Sequence, residues 1–308
     1  MLRKVFLRLS TSQTAERFIT RFPPSRRMTR RFVAGDTMSE ALEVVRTLNR
    51  QGLWAAIDFL GESVFERETA QAHMNEYLRL LEAIAREGLQ ADISLKPTAL
   101  GLDIDFEFCY ENLHTIAARA HQYGIRVEID MESHPYVDPT LALYRRLREA
   151  GFDVLVALQA YLYRTEQDIR DLMPLAPRIR LVKGAYDEPP SVAFPAKADV
   201  DANFVRLMRL MFSPEAREQG VYPAIASHDE KMIAATLDEV RAQGIPADAF
   251  EFQMIYGIRT KRQLELAEQG YRMRVYVPYG THWYPYFMRR LAERPANVIF
   301  LLKNIVRG

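Results

Sequence analysis

From Ala91 to Met131 the chain reads ADISLKPTALGLDIDFEFCYENLHTIAARAHQYGIRVEIDM, and this stretch decides the fold. Its two ends, ADISL (Ala91–Leu95) and IRVEIDM (Ile125–Met131), are short apolar runs with β-branched residues, which predicts strands. Between them, Phe106–Ala120 repeats apolar residues three and four apart, which predicts an amphipathic helix stopped by Gly124. Strand, helix and strand in succession predict a parallel pair, because parallel neighbours need a crossover. Both strands end in charge: Lys96 follows the first, and Asp130 and Glu132 close the second.

The same unit recurs in both directions. Leu53–Leu60 (LWAAIDFL) precedes it, and Asp153–Leu158 (DVLVAL), Ile179–Val182 (IRLV), Val221–Ala226 (VYPAIA), Phe250–Ile255 (FEFQMI) and Tyr271–Val277 (YRMRVYV) follow. Helical periodicity fills the gaps at Thr69–Ala85, Pro139–Ala150 and Lys231–Ala242, with stop glycines at Gly88, Gly151, Gly244 and Gly270. Eight strands alternating with helices predict an α/β protein of the (β/α)8 TIM-barrel type. The alternative, a doubly wound open sheet, usually carries a glycine-rich first turn. Here the first strand runs into Gly61-Glu62-Ser63, and no GxGxxG follows. Residues 1–45 are expected to be an N-terminal helical arm and residues 46–308 the barrel domain. The three-proline loop Tyr186–Ala198 is a candidate cover for the site.

Composition narrows the function classes. Of 308 residues, 48% are hydrophobic and 26% charged, and 41 basic residues nearly cancel 40 acidic ones, which argues against a nucleic-acid binder. The single cysteine, Cys109, cannot pair within the chain and points to a reducing compartment; a cytoplasmic location is expected. No apolar run reaches the roughly 18 residues of a membrane span. The first 31 residues break the balance, with Arg3, Lys4, Arg8, Arg17, Arg21, Arg26, Arg27, Arg30 and Arg31 against Glu16 alone. With Leu2, Val5, Phe6 and Leu9 at helical spacing, the arm reads as a basic amphipathic helix. It suits peripheral contact with an anionic membrane surface, a transit peptide, or simple packing on the barrel.

In such a barrel the site forms at the C-terminal ends of the strands. Those ends carry Lys96, Asp130, Glu132, Gln159, Arg180, Lys183, Tyr186, Ser227, His228, Gln253 and Tyr276. Charge at the end of a buried strand is costly unless paired or used, and Lys96 and Asp130 are expected to meet as an ion pair. After the eighth strand, Trp283–Glu293 (WYPYFMRRLAE) predicts a helix with Pro285 in its first turn. Arg289 and Arg290 are about 100° apart on it and suit a carboxylate or phosphate, with Tyr286 and Glu293 on the same broad face.

Taken together these residues resemble the proline dehydrogenases. The match is carried by Ser94-Leu95-Lys96, Glu128 through Glu132, Leu158 through Leu162, Arg180 through Tyr186 (RLVKGAY), Ser227-His228, Phe250 through Gln253, Tyr276 through Gly280, and Tyr286 through Glu293. The resemblance implies a distorted barrel that holds FAD without a Rossmann domain, with the last helix over its mouth. It implies oxidation of L-proline, with hydride passing from C5 to flavin N5 and electrons then going to a membrane quinone. Arg289, Arg290, Lys96, Tyr276 and Tyr286 would bind the substrate, and Lys96 and Asp130 would serve catalysis. Asp130, Met131, Gln159, Arg180, Val182, Lys183, Gly184, Tyr186, Ser227, His228, Gln253 and Glu293 would contact FAD. The family often has threonine at Ser227, so the hydroxyl is kept. The chain looks like the compact monofunctional bacterial type, without the DNA-binding and aldehyde dehydrogenase regions of the bifunctional relatives. Two other chemistries fit isolated features: a Schiff-base lyase using Lys96 or Lys183, and a metal hydrolase using Asp130, Glu132, His134 and His228.

Overall fold

The computed structural model describes residues 29–293, so most of the basic arm and the segment after Glu293 lie outside the described residues. Eight parallel strands close a barrel in sequence order: β1 (Trp54–Phe59), β2 (Ala91–Leu95), β3 (Val127–Ile129), β4 (Val154–Gln159), β5 (Arg178–Val182), β6 (Tyr222–Ala226), β7 (Glu251–Ile255) and β8 (Met273–Tyr279). β8 pairs with β1 from Trp54↔Arg274 to Phe59↔Tyr279, which closes the ring and rules out the open sheet. The fold is thus the expected TIM-type barrel.

Ten α-helices accompany the strands among the described residues. They are α1 (Met38–Arg50), α2 (Arg67–Glu87), α3 (Phe106–Tyr123), α4 (Val137–Glu149), α5 (Thr165–Leu172), α6 (Lys197–Phe212), α7 (Pro214–Glu218), α8 (Glu230–Gln243), α9 (Thr260–Glu268) and α10 (Tyr284–Glu293). The core lies between strands and helices, where Ile57, Ile93, Ile129, Val156, Leu181, Ile225, Phe252 and Val275 point outward and are fully enclosed or nearly so.

Two helices depart from a plain repeat. The seam between β8 and β1 is covered by α1, which precedes β1 and buries Ala41, Leu42, Val45 and Leu48 in the main core. Its start is a capping box: Thr37 Oγ1 accepts from the Glu40 N–H at 3.4 Å, and Glu40 accepts from the Thr37 N–H at 3.1 Å. This helix spans residue 45, where the sequence placed the end of the arm. With that seam occupied, α10 packs elsewhere. Its Tyr284, Tyr286, Phe287, Met288 and Leu291 form a second apolar cluster with Phe32, Val33, Leu60 and Ile258. Leu60 and Ile258 follow β1 and β7, so this cluster sits at the C-terminal end of the barrel, the end that carries function.

Candidate active site

The strand alternation that buries apolar residues outward sends polar ones inward. Arg180 on β5 reaches Glu128 on β3 (2.9 Å), Ser94 on β2 (3.4 Å) and Gln253 on β7 (3.5 Å), contacts that only the barrel interior allows. A line of alternating charge results. Arg274 forks onto Glu251 at 2.7 and 3.0 Å and approaches Glu128 at 3.4 Å. Glu128 meets Arg180, and Arg180 meets Asp130. The line ends at Lys96, whose Nζ lies 2.8 Å from Asp130 and 3.1 Å from Asp58.

Lys96, Asp130 and Tyr276 meet as a compact knot. The Tyr276 hydroxyl donates to Asp130 Oδ2 at 2.8 Å and lies 3.3 Å from Lys96 Nζ. Burial opposes ionisation of Asp130, but the Lys96 ammonium and Arg180 guanidinium outweigh it and hold the carboxyl well below the usual range. Burial also disfavours the Lys96 ammonium; Asp130 and Asp58 outweigh that and hold it protonated far above the usual lysine range. Asp58 goes the other way. Its burial dominates, the neighbouring Asp130 adds to it, and its carboxyl is pushed up despite Lys96. Its second oxygen, Oδ1, is buried with no hydrogen-bond partner.

Above the knot, Arg289 forks onto Glu62, which follows β1, at 2.7 and 2.8 Å. Its guanidinium also lies 5.8 Å from the ring centroid of Tyr186, which follows β5, so the side chain spans the mouth. Arg290 lies 5.1 Å from the Tyr286 ring. Both arginines and Tyr286 are buried, so this helix face is not a solvated one.

The other expected residues spread around the rim. Gln159 ends β4 and donates to the Glu132 carbonyl at 2.9 Å, and Met131 is buried at the end of β3. Ser227 Oγ accepts from the Asp229 N–H at 3.1 Å, and His228 Nε2 accepts from the Ile255 N–H at 2.9 Å. Lys183 turns away from the knot to Asp229 (2.7 Å) and Asp201. Gln253 sits beneath the mouth, enclosed by Arg180, Glu128 and Glu251, and not on the rim where its strand position suggested. Of Glu293 only the helical backbone is described.

The half-buried rim residues Val182 through Tyr186, Ala226, His228, Ile255 through Gly257 and Tyr276 form an open crescent at the ends of β5 to β8. Gly184 within it has φ +116°, and a Cβ there would fall 2.4 Å from the Tyr161 ring. Backbone lines the crescent at Gly184.

These contacts remove the two other chemistries. Asp130 is held by Lys96, Arg180 and Tyr276, Glu132 by Thr98, His134 by Glu188 and His228 by the Ile255 N–H, so the four supposed metal ligands face different partners. Lys96, held protonated between Asp58 and Asp130, is a poor Schiff-base nucleophile, and Lys183 is engaged by Asp201 and Asp229.

The family model described as proline dehydrogenase matches residues 41–303. The chain belongs to the proline dehydrogenase family. It is thereby an oxidoreductase of proline catabolism, acting at the first step. It is 47% identical over 307 residues to "Proline dehydrogenase 1" of Bacillus subtilis (strain 168), covering all of both chains. It is 42% identical to the "Proline dehydrogenase" of Deinococcus radiodurans, covering 90% of each. Among solved structures it resembles proline utilization A from Bdellovibrio bacteriovorus inactivated by N-propargylglycine, with a TM-score of 0.80 and 26% identity. That match covers 87% of this chain and 32% of the larger one.

Sequence reasoning missed Asp58, Glu62 and Glu128. Asp58 lies inside the apolar run LWAAIDFL, and the rule applied to Lys96 and Asp130, charge near the end of a buried strand, also selects it. Glu62 had no such mark, because its importance comes from Arg289, 227 positions away.

Proposed function

We propose that the protein oxidises L-proline to Δ1-pyrroline-5-carboxylate with FAD as cofactor. The observation that carries the reading is the placement of Arg289 across the mouth above the Lys96–Asp130–Tyr276 knot. A planar guanidinium in a buried position suits the substrate carboxylate, with Arg290 beside it. Tyr276 and Tyr286 would wall the ring, and the carboxylate would replace Glu62 in the Arg289 fork.

The crescent at the ends of β5 to β8 fits a flat cofactor. Asp130, Met131, Gln159, Arg180, Val182, Lys183, Gly184, Tyr186, Ser227, His228 and Glu293 would hold FAD, with Gln253 supporting Arg180 from below. FAD would supply the hydride acceptor, N5, for the hydrogen leaving proline C5. The chain's contribution is orientation: two guanidiniums fix one end of the substrate and the tyrosines fix its apolar body. Arg180 would offer positive charge to a bound flavin. Lys96 orders the floor. Asp58 and Asp130 offset its field, so it acts less on the substrate amine than a lone lysine would.

The test is spectral. Purified protein should be yellow and should bleach with L-proline; protein that stays colourless after reconstitution with FAD refutes the reading. Delivery of the electrons to a membrane quinone, with cytoplasmic protein resting on the membrane through residues 1–31, completes the proposal. Among the described residues no helix is long and apolar enough to cross a membrane. Deletion of residues 1–31 should abolish salt-sensitive binding to anionic vesicles; unchanged binding excludes the arm.

A further inference from the structure

Glu132 has no place in the reaction just described, although its carboxyl is buried near the mouth. Both of its oxygens go to one residue. Oε1 accepts from the Thr98 hydroxyl at 2.6 Å and Oε2 from the Thr98 N–H at 3.1 Å. Thr98, itself fully enclosed, then holds the loop between β1 and α2. Its hydroxyl accepts from the Ser63 N–H at 3.0 Å, and its carbonyl accepts from the Val64 N–H at 3.1 Å. Ser63 has φ +56°, a left-handed conformation that serine does not adopt without restraint. The two bonds to Thr98 supply that restraint. The residue before Ser63 is Glu62, whose carboxylate fills the Arg289 fork.

We propose that Glu132 and Thr98 are positioning residues that set how strongly Glu62 competes with the substrate carboxylate for Arg289. This rests on the reading of Arg289 as the carboxylate site. The hydrogen-bond directions make the restraint strongest when Glu132 is ionised. A carboxylate draws the Thr98 hydroxyl proton to itself and leaves the hydroxyl lone pairs for Ser63. A protonated Glu132 competes for those lone pairs.

Burial pushes Glu132 up to about 7, against the Thr98 bonds and Lys96 and with Glu62 adding to the rise. The charged and titratable groups facing it are Glu62, Lys96, Cys109, Tyr136, Tyr186 and Arg289. Cys109 and the tyrosines are held well above neutrality, whereas Glu62 is kept ionised by Arg289 despite its burial. Glu132 is therefore the group in this set that titrates near pH 7.

Steady-state kinetics of the flavin-loaded enzyme with L-proline test the proposal. Thr98→Val keeps the shape and removes the hydroxyl. It should lower KM by about two- to tenfold, the range of one lost hydrogen bond, with kcat essentially unchanged. Thr98→Ser should restore the parent KM. In a Glu62→Gln background, Thr98→Val should add nothing, because both changes act on one contact. A folded Thr98→Val with unchanged or raised KM overturns the proposal, as does an equal effect in the Glu62→Gln background. If Thr98→Val does not fold, Glu132→Gln provides the second measurement. It should flatten the pH dependence of KM around pH 7, and an unaltered profile overturns the proposal. A wild-type protein that proline does not bleach would overturn the underlying reading as well, so the two failures are distinguishable.

Discussion

Lys96 makes its contacts with two carboxylates and a phenol in a buried position. Removing one partner from a buried charge network is expensive, because the others stay behind uncompensated. Lys96→Met should therefore unfold at a denaturant free energy about 3–5 kcal/mol lower than the parent. Unaltered stability in denaturant titration would show that Asp58 and Asp130 do not depend on the ammonium. Arg289 gives a different signature, since its fork faces the mouth. Arg289→Ala should raise KM for proline by about ten- to a hundredfold, the worth of charge-assisted bonds. The same assay on Arg290→Ala asks whether the second guanidinium shares that load. Lys96, Asp130, Arg289 and Arg290 were legible in the sequence, because charge at a strand end or a paired cation on a helix is a local mark. Glu62 and Thr98 were not, since each matters only through a residue far away in sequence.

At the scale of elements, glycine 184 has two reasons to lack a side chain. Its backbone is left-handed at φ +116°, and the Tyr161 ring occupies the place of a Cβ. Gly184→Ala should cost about 2–4 kcal/mol, combining backbone strain with overpacking, and should loosen the crescent. A thermal melt unchanged from the parent would contradict this account. The capping box on α1 is smaller in effect. Thr37→Ala should cost about 1 kcal/mol in the same titration. Strands and helices were legible from period alone, and the eight predicted strands appear within a few residues of their expected bounds. The place of α1, which spans the boundary expected at residue 45, was not legible. Its amphipathic pattern says that one face is buried, yet nothing local says that the face covers the seam between β8 and β1.

Across the whole molecule, the interior line from Arg274 to Lys96 ties proton binding to folding. Glu251 falls to about 2 because Arg274 outweighs its burial, so the stability it contributes is complete above the unfolded value of about 4.5 and is lost as pH falls toward 2. Glu132 has the opposite sign. Its folded value near 7 exceeds the unfolded 4.5, so its favourable contribution is complete below 4.5 and disappears as pH rises through 7. Glutamine mimics the protonated acid. Glu132→Gln should therefore gain on the parent more at pH 8 than at pH 5, and an equal gap at both values in denaturant titration would refute it. None of this was legible in the sequence, because it depends on which charges face one another across a closed ring. The placement of α1 has a further bearing on how the chain comes off the ribosome. Every wall element from α1 to β8 is made before α10, so the ring can close with its seam already covered. In the proposed reading the substrate grip comes with α10, so a chain not yet grown that far can close its barrel before it can hold proline.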